Sequence, residues 1–134
     1  MRMGLITRFF PYEYVEDVFT IDYRRLYEEG YRGVVFDIDN TLVPHGADST
    51  KDVDDLFVRI HQIGLATLLL SNNSEARIKR FMANIDTLYI HDANKPSPAA
   101  FERAVQKLGK KKEQVVVIGD QVFTDIYGAN RCGL

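Results

Sequence analysis

Four short apolar runs, "GVVFDI" at 33–38, "ATLLLS" at 66–71, "TLYIHD" at 87–92 and "QVVVIG" at 114–119, are separated by segments whose apolar residues recur every three or four positions. No other feature of the chain constrains its fold as tightly. Strands joined through helices run parallel, and a parallel sheet has to be covered on both faces. The expected fold class is therefore α/β, a three-layer Rossmann-like sandwich around a mainly parallel sheet. Three of the runs are apolar enough to be buried on both sides, whereas "TLYIHD" is mixed and is assigned to an edge. A chain of 134 residues can bury one such core but not two. Residues 1–134 are thus read as a single domain, with 1–32 an extension carrying a short helix and 33–134 the core.

The connecting helices are marked by their stripes and ends. Val53, Leu56, Phe57 and Ile60 follow helical spacing, with Ser49 and Asp52 placed as a capping box and Gly64 as a stop. Ile78, Phe81, Met82 and Ile85 repeat the pattern after "SNNS" at 71–74. Phe101, Ala104, Val105 and Leu108 do so again, between Ser97 as N-cap, Pro98 at the first helical position and Gly109 beyond the end. "DYRRLYEEG" at 22–30 reads as a short helix presenting Tyr23, Leu26 and Tyr27, and "TDIYGANRCGL" at 124–134 offers a last short one.

Several function classes are disfavoured by composition. A formal net charge of −2 provides no general field for nucleic acid, so no nucleic-acid partner is expected. Cys132 is the only cysteine, which rules out an internal disulfide and suits the reducing cytoplasm. Arg8 interrupts the apolar N-terminus before a secretion signal can form. The longest apolar stretch, "IGLATLLL", is far short of the ~18 residues a membrane span needs.

In an open parallel sheet, ligands bind beyond the carboxyl ends of the strands. Those ends carry Asp37, Asp39, Asn40 and Thr41 after the first strand, Ser71 and Asn72 after the second, and Asp120 after the last. Lys95 follows the third strand, and Asp125 lies five residues beyond Asp120. Four acids in one crevice repel one another, and a hard divalent cation resolves the repulsion. Mg²⁺ takes oxygen ligands and leaves positions for water and a substrate phosphate, so Asp37 and Asp120 are its candidate direct ligands, with Asp125 nearby. A carboxylate can attack phosphorus, and a second acid two residues on can protonate the leaving oxygen and then activate water. The Lys95 ammonium and the Ser71 hydroxyl suit the oxygens of a transferring phosphoryl group. His45, His61 and His91 are scattered and are not expected to bind metal; His45, beside the first acidic loop, is within reach of a substrate.

Together "DIDNT", "LLLSN", "KPSP" and "GDQVFTD" resemble, in order and spacing, the four motifs of the haloacid dehalogenase superfamily of phosphatases. The wording of the first and last is similar to the subfamily III group that includes YqeG-like proteins and related phosphatidylglycerophosphate phosphatases. The resemblance implies a Mg²⁺-dependent phosphomonoester hydrolase with an aspartyl-phosphate intermediate. By it Asp37 is the nucleophile, and Asp39 is the acid/base and a metal ligand through its main-chain carbonyl. Ser71, Asn72 and Lys95 bind phosphate, and Asp120 and Asp125 complete the metal site.

Neither gap where such proteins insert a cap domain has room for one here. A capless site implies a bulky substrate or a lid from a neighbouring subunit in a homo-oligomer. A lipid phosphate is the first substrate expected; the aromatic start with Arg2, Arg8, Phe9 and Phe10 is read either as packing on the sheet edge or as resting on an anionic membrane at its inner face and bringing such a lipid to the site. The alternatives are a soluble sugar or nucleotide phosphate, or a phosphate-binding scaffold without turnover. The sequence stops at "NRCGL", where relatives continue into a further strand, so a truncated C-terminal part and an exposed sheet edge are also expected.

Overall fold

A computed structural model describes residues 18–94 and 97–119. Four parallel strands, β1 (Gly33–Phe36), β2 (Ala66–Leu70), β3 (Leu88–Ile90) and β4 (Val115–Ile118), lie in the order β3-β2-β1-β4. β1 pairs with β2 from Gly33↔Ala66 to Phe36↔Leu69, and with β4 from Gly33↔Val115 to Phe36↔Ile118. Every residue of β1 and β4 is buried, as strands covered on both faces must be. β3 has three residues, one of them exposed, and occupies an edge as its mixed composition requires.

Four helices alternate with the strands: α1 (Tyr23–Glu28), α2 (Lys51–Ile63), α3 (Glu75–Phe81) and α4 (Pro98–Leu108). The chain steps from β1 to β2 to β3 in one direction, then returns across the sheet to β4. Right-handed crossovers therefore place α2 and α3 on one face and α4 on the other, and make the space between β1 and β4 the topological switch point. The apolar stripes read from the sequence are buried: Val53, Leu56, Phe57 and Ile60 on α2, and Phe101, Ala104, Val105 and Leu108 on α4. Phe36 at the end of β1 packs on Phe57, ring centroids 5.2 Å apart, and on Tyr23 of α1 at 6.3 Å. Each buried phenylalanine adds about 1.5–3 kcal/mol of burial to this layer.

Helix ends largely follow their signals, with two differences. Ser97 caps α4, Pro98 opens it and Gly109 closes it in the left-handed region. Ser49 is not the cap of α2. Thr50, extended at φ −115° and ψ 165°, accepts from the Val53 amide at 3.2 Å, while the Ser49 hydroxyl donates to Asp54 at 2.7 Å. A cap has to be the last non-helical residue, and of the two adjacent hydroxyls only Thr50 holds that place. On α3 the helix stops at Phe81, so Met82 forms its C-cap and Ile85 reaches the core from the following turn. The N-terminal segment, the last predicted helix and the residues that decide the exposed-edge expectation lie outside the described residues.

Candidate active site at the carboxyl end of the sheet

Beyond Phe36 the chain leaves β1 through a turn built on Ile38. That side chain is fully buried, and its carbonyl accepts from the amides of Thr41 at 3.2 Å and Leu42 at 2.9 Å. Asn40 closes the turn at φ 63°, a left-handed conformation that asparagine tolerates better than most residues. Anchoring Ile38 in the core leaves Asp37 and Asp39, on either side of it, half-buried at the mouth. The Asp37 amide donates to the Ile118 carbonyl at 3.1 Å, so the first acid stands beside the end of β4, at the switch point.

Asp39 is held by three donors from three segments. Its Oδ1 accepts from the Gly46 amide at 2.8 Å and from Arg77 Nη2 at 2.9 Å, and its Oδ2 accepts from Asn73 Nδ2 at 2.5 Å. The Arg77 and Asp39 side chains are only 11% and 14% exposed. Burial pushes the Asp39 carboxyl up, but the Gly46 N–H, the Arg77 guanidinium and the Asn73 amide together push harder the other way. The net effect holds it below the usual carboxylate range, ionised at rest.

On the neighbouring strand, Ser71 ends β2 and is 1% exposed. Its Oγ accepts from the Asn73 amide at 3.0 Å, and a hydroxyl of this kind can also donate. Ser74, not Ser71, caps α3 by accepting from the Arg77 amide at 3.3 Å. The loop after β3 is stitched to the same rim: the Asp92 amide donates to the Asn73 carbonyl at 2.9 Å and the Ala93 amide to the Ser71 carbonyl at 3.0 Å. Asn72 stands exposed between them. The structure therefore gathers Asp37, Asp39, Ser71 and Asn72 at one end of the sheet. Lys95, Asp120 and Asp125 lie outside the described residues.

Among the described residues no three His, Cys, Asp or Glu side chains cluster as a metal site, and the other expected acids fall outside that set. The donors that are described suit a hard cation, since the Asp37 carboxylate and the Asp39 main-chain carbonyl are both oxygen ligands. The Asp39 carboxylate accepts from three donors. His61 hydrogen-bonds Thr67 at 2.7 Å, His91 pairs with Asp92 at 2.8 Å, and His45 is exposed next to Gly46.

Asn73 and Arg77 were not among the residues expected at the site. Arg77 did carry a signal: it is the third residue of α3, and a cation in a first turn opposes the helix dipole. Two buried side-chain atoms among the described residues have no partner, Thr41 Oγ1 and Arg77 Nη1, and both belong to this loop cluster.

The family described as haloacid dehalogenase-like hydrolase matches residues 45–133, which leaves Asp37 and Asp39 to be judged by geometry. A probable phosphatase of Bacillus subtilis, YqeG, is 39% identical over 126 residues, 93% of this chain and 73% of that protein. Phosphatidylglycerophosphate phosphatase 1 of Arabidopsis thaliana, chloroplastic/mitochondrial, is 30% identical over 92% of this chain, which spans only 38% of that protein. The crystal structure of a hypothetical protein from Xanthomonas campestris superposes with a TM-score of 0.52 at 13% identity, covering 78% of this chain and 63% of that one, a likeness of fold alone.

Proposed function

The chain belongs to the haloacid dehalogenase-like hydrolase family, and on that premise we propose that it is a Mg²⁺-dependent phosphomonoesterase acting through an aspartyl-phosphate at Asp37, on a lipid phosphate of the phosphatidylglycerophosphate type. The observation that carries the reading is the pair at the end of β1. One carboxylate stands at the switch point, and a second, two residues on, is held in a fixed orientation by Gly46, Asn73 and Arg77.

In the first step an Asp37 oxygen forms a bond to phosphorus as the ester P–O bond breaks. The departing oxygen takes its electron pair and a proton from the Asp39 carboxyl, giving aspartyl-phosphate and the free alcohol. In the second, the Asp39 carboxylate takes a proton from water while the water oxygen attacks phosphorus. The acyl-phosphate bond returns its electron pair to Asp37, inorganic phosphate leaves, and Asp39 is protonated again. At rest Asp39 is in the basic form, and a phosphomonoester dianion lodged beside it pushes its pKa back up, the direction the first step needs. Ser71 Oγ–H and the Lys95 ammonium are the proposed donors to the phosphoryl oxygens, with Asn72 on the same rim. Mg²⁺, held by Asp37, the Asp39 carbonyl, Asp120 and Asp125, supplies positive charge against the phosphoryl oxygens when bound.

A bulky substrate is supported by the absence of any cap element among the described residues. The path from β1 to α2 is a loop, and β2 to α4 holds only α3 and β3. No helix among the described residues is long and apolar enough to cross a membrane, so contact with lipid would be peripheral. The test is phosphate release from a panel of micellar phosphatidylglycerophosphate, soluble sugar phosphates and nucleotides, with Mg²⁺ or EDTA. Release from the lipid, lost with EDTA and lowered on the order of 10³-fold or more by Asp37→Asn, is the expected result. Asp37→Asn turning over at the wild-type rate refutes the nucleophile assignment, activity confined to soluble esters refutes the lipid, and no release at all leaves a binding scaffold.

A further inference from the structure

We infer that Arg77 is a positioning residue for proton transfer, fixing the Asp39 carboxylate so that Oδ2 is the oxygen that gives and takes the proton; this rests on the phosphomonoesterase reading above. Arg77 breaks two rules of stability at once. It places a cation in the first turn of α3, and it removes that cation almost completely from water. A buried ion pair seldom stabilises a fold more than an apolar side chain of similar volume, and Arg77 already lies against an apolar neighbour, its guanidinium 5.8 Å from the Phe81 ring centroid. Residues that break local rules without a structural gain cluster at working sites.

The geometry shows what is gained. Arg77 Nη2 donates both to Asp39 Oδ1 and, at 2.8 Å, to the Ala47 carbonyl, so one group locks the carboxylate and the loop that carries it to α3. An ionised carboxylate has about four acceptor positions. Arg77 and the Gly46 amide fill the two on Oδ1, and Asn73 fills one of the two on Oδ2. The position that remains among the described residues, on Oδ2, is the one assigned to the proton. Without Arg77, Oδ1 loses its charged anchor and the carboxylate can turn about its own axis, which dissolves the distinction between its oxygens.

Proton donation matters only when the leaving oxygen is a strong base, and that separates positioning from general damage. The first-turnover release of alcohol is measured with an alkyl phosphate and with p-nitrophenyl phosphate, whose leaving group departs without a proton. In Arg77→Met, which keeps the volume beside Phe81, the alkyl ester is expected to slow about 10²-fold while p-nitrophenol release stays within about threefold. KM for both should change little. Arg77→Lys, which keeps the charge but offers a compact donor in place of the fork, falls between wild type and Arg77→Met. Asn73→Ala, which frees Oδ2 from its other constraint, shows the same selectivity and covers the case in which Arg77→Met does not fold. Equal loss on both esters, or no loss on either, overturns the inference while the function stands. A wild-type protein that releases no phosphate from any ester overturns both.

Discussion

Gly64 closes α2 at φ 114° and ψ 10°, its amide donating back to His61 at 3.0 Å, and a methyl group there meets two obstacles. The first is the backbone: a left-handed conformation costs a residue with a Cβ about 1–2 kcal/mol. The second is Tyr27, whose Cε1 would stand 2.7 Å from the new Cβ and whose Cζ would stand 3.3 Å away. That ring cannot simply swing aside. The Arg32 guanidinium covers it 3.7 Å from its centroid and is itself fixed by the carbonyls of Tyr27 and Tyr31 at 2.8 and 2.7 Å. Overpacking of this kind costs about 1–3 kcal/mol, and the stiffer unfolded chain returns only about 0.4–1. Gly64→Ala should therefore destabilise by about 1–4.5 kcal/mol, a fall in Tm of roughly 3–20 °C for a domain of this size. Urea melts should show a lower midpoint at constant slope. In a Tyr27→Ala background the same substitution should lose its steric part and cost about 1 kcal/mol, the difference being the coupling between the two sites. Equal costs in the two backgrounds, or a cost under about 0.5 kcal/mol in wild type, would refute the reasoning. Because Gly64 lies at the amino end of β2, opposite the loop that carries Asp37 and Asp39, phosphate release per folded molecule should be unchanged at low temperature.

Asp39→Ala strips a nearly buried arginine of its counter-ion and should destabilise by about 3–5 kcal/mol in urea melts, whereas Asp39→Asn, which keeps an acceptor for Arg77, should cost less than half as much. An unchanged Asp39→Ala midpoint would mean that the pair is not desolvated in solution. His61 titrates below its ordinary 6.5 because burial opposes its charged form more than nearby Asp86 favours it. The unfolded chain thus binds a proton that the folded one resists, so this contribution to stability is complete above about pH 6.5 and is lost as the pH falls through the lower folded value. His61→Gln should shrink the difference between urea midpoints at pH 7.5 and 5.5, and an unaltered difference would remove His61 as its source. Asp39, also held low, acts in the same direction but further into acid, below its ordinary 3.8.

The sheet was legible because burial on both faces leaves an uninterrupted apolar run, and an edge strand leaves a mixed one; β1, β2 and β4 differ from β3 in that respect. Gly109 and Ser97 announced the ends of α4 because each is the residue type its backbone conformation favours. Ser49 and Thr50 could not be separated by type, since both carry a hydroxyl and only the dihedral angles decide which one caps. At the site, Asp37, Asp39, Ser71 and Asn72 were legible from their places after strands, where topology alone gathers them. Asn73 and Arg77 were not, because their partner lies 34 and 38 residues away and no local spacing encodes such a meeting. The misfit of a cation in the first turn of α3 was the one trace Arg77 left in the sequence.

The same two bonds have a kinetic meaning. Asp39 acquires its orientation only after β1 has paired with β2 and α3 has docked, because the loop it belongs to is closed by a group 38 residues further along the chain. Contacts of such separation form late, after local helices and turns have already gathered most of the native circular dichroism signal. The Asp39 orientation therefore reports tertiary closure between β1 and α3, which a helical signal does not, although the β1–β4 pairing closes a longer separation still.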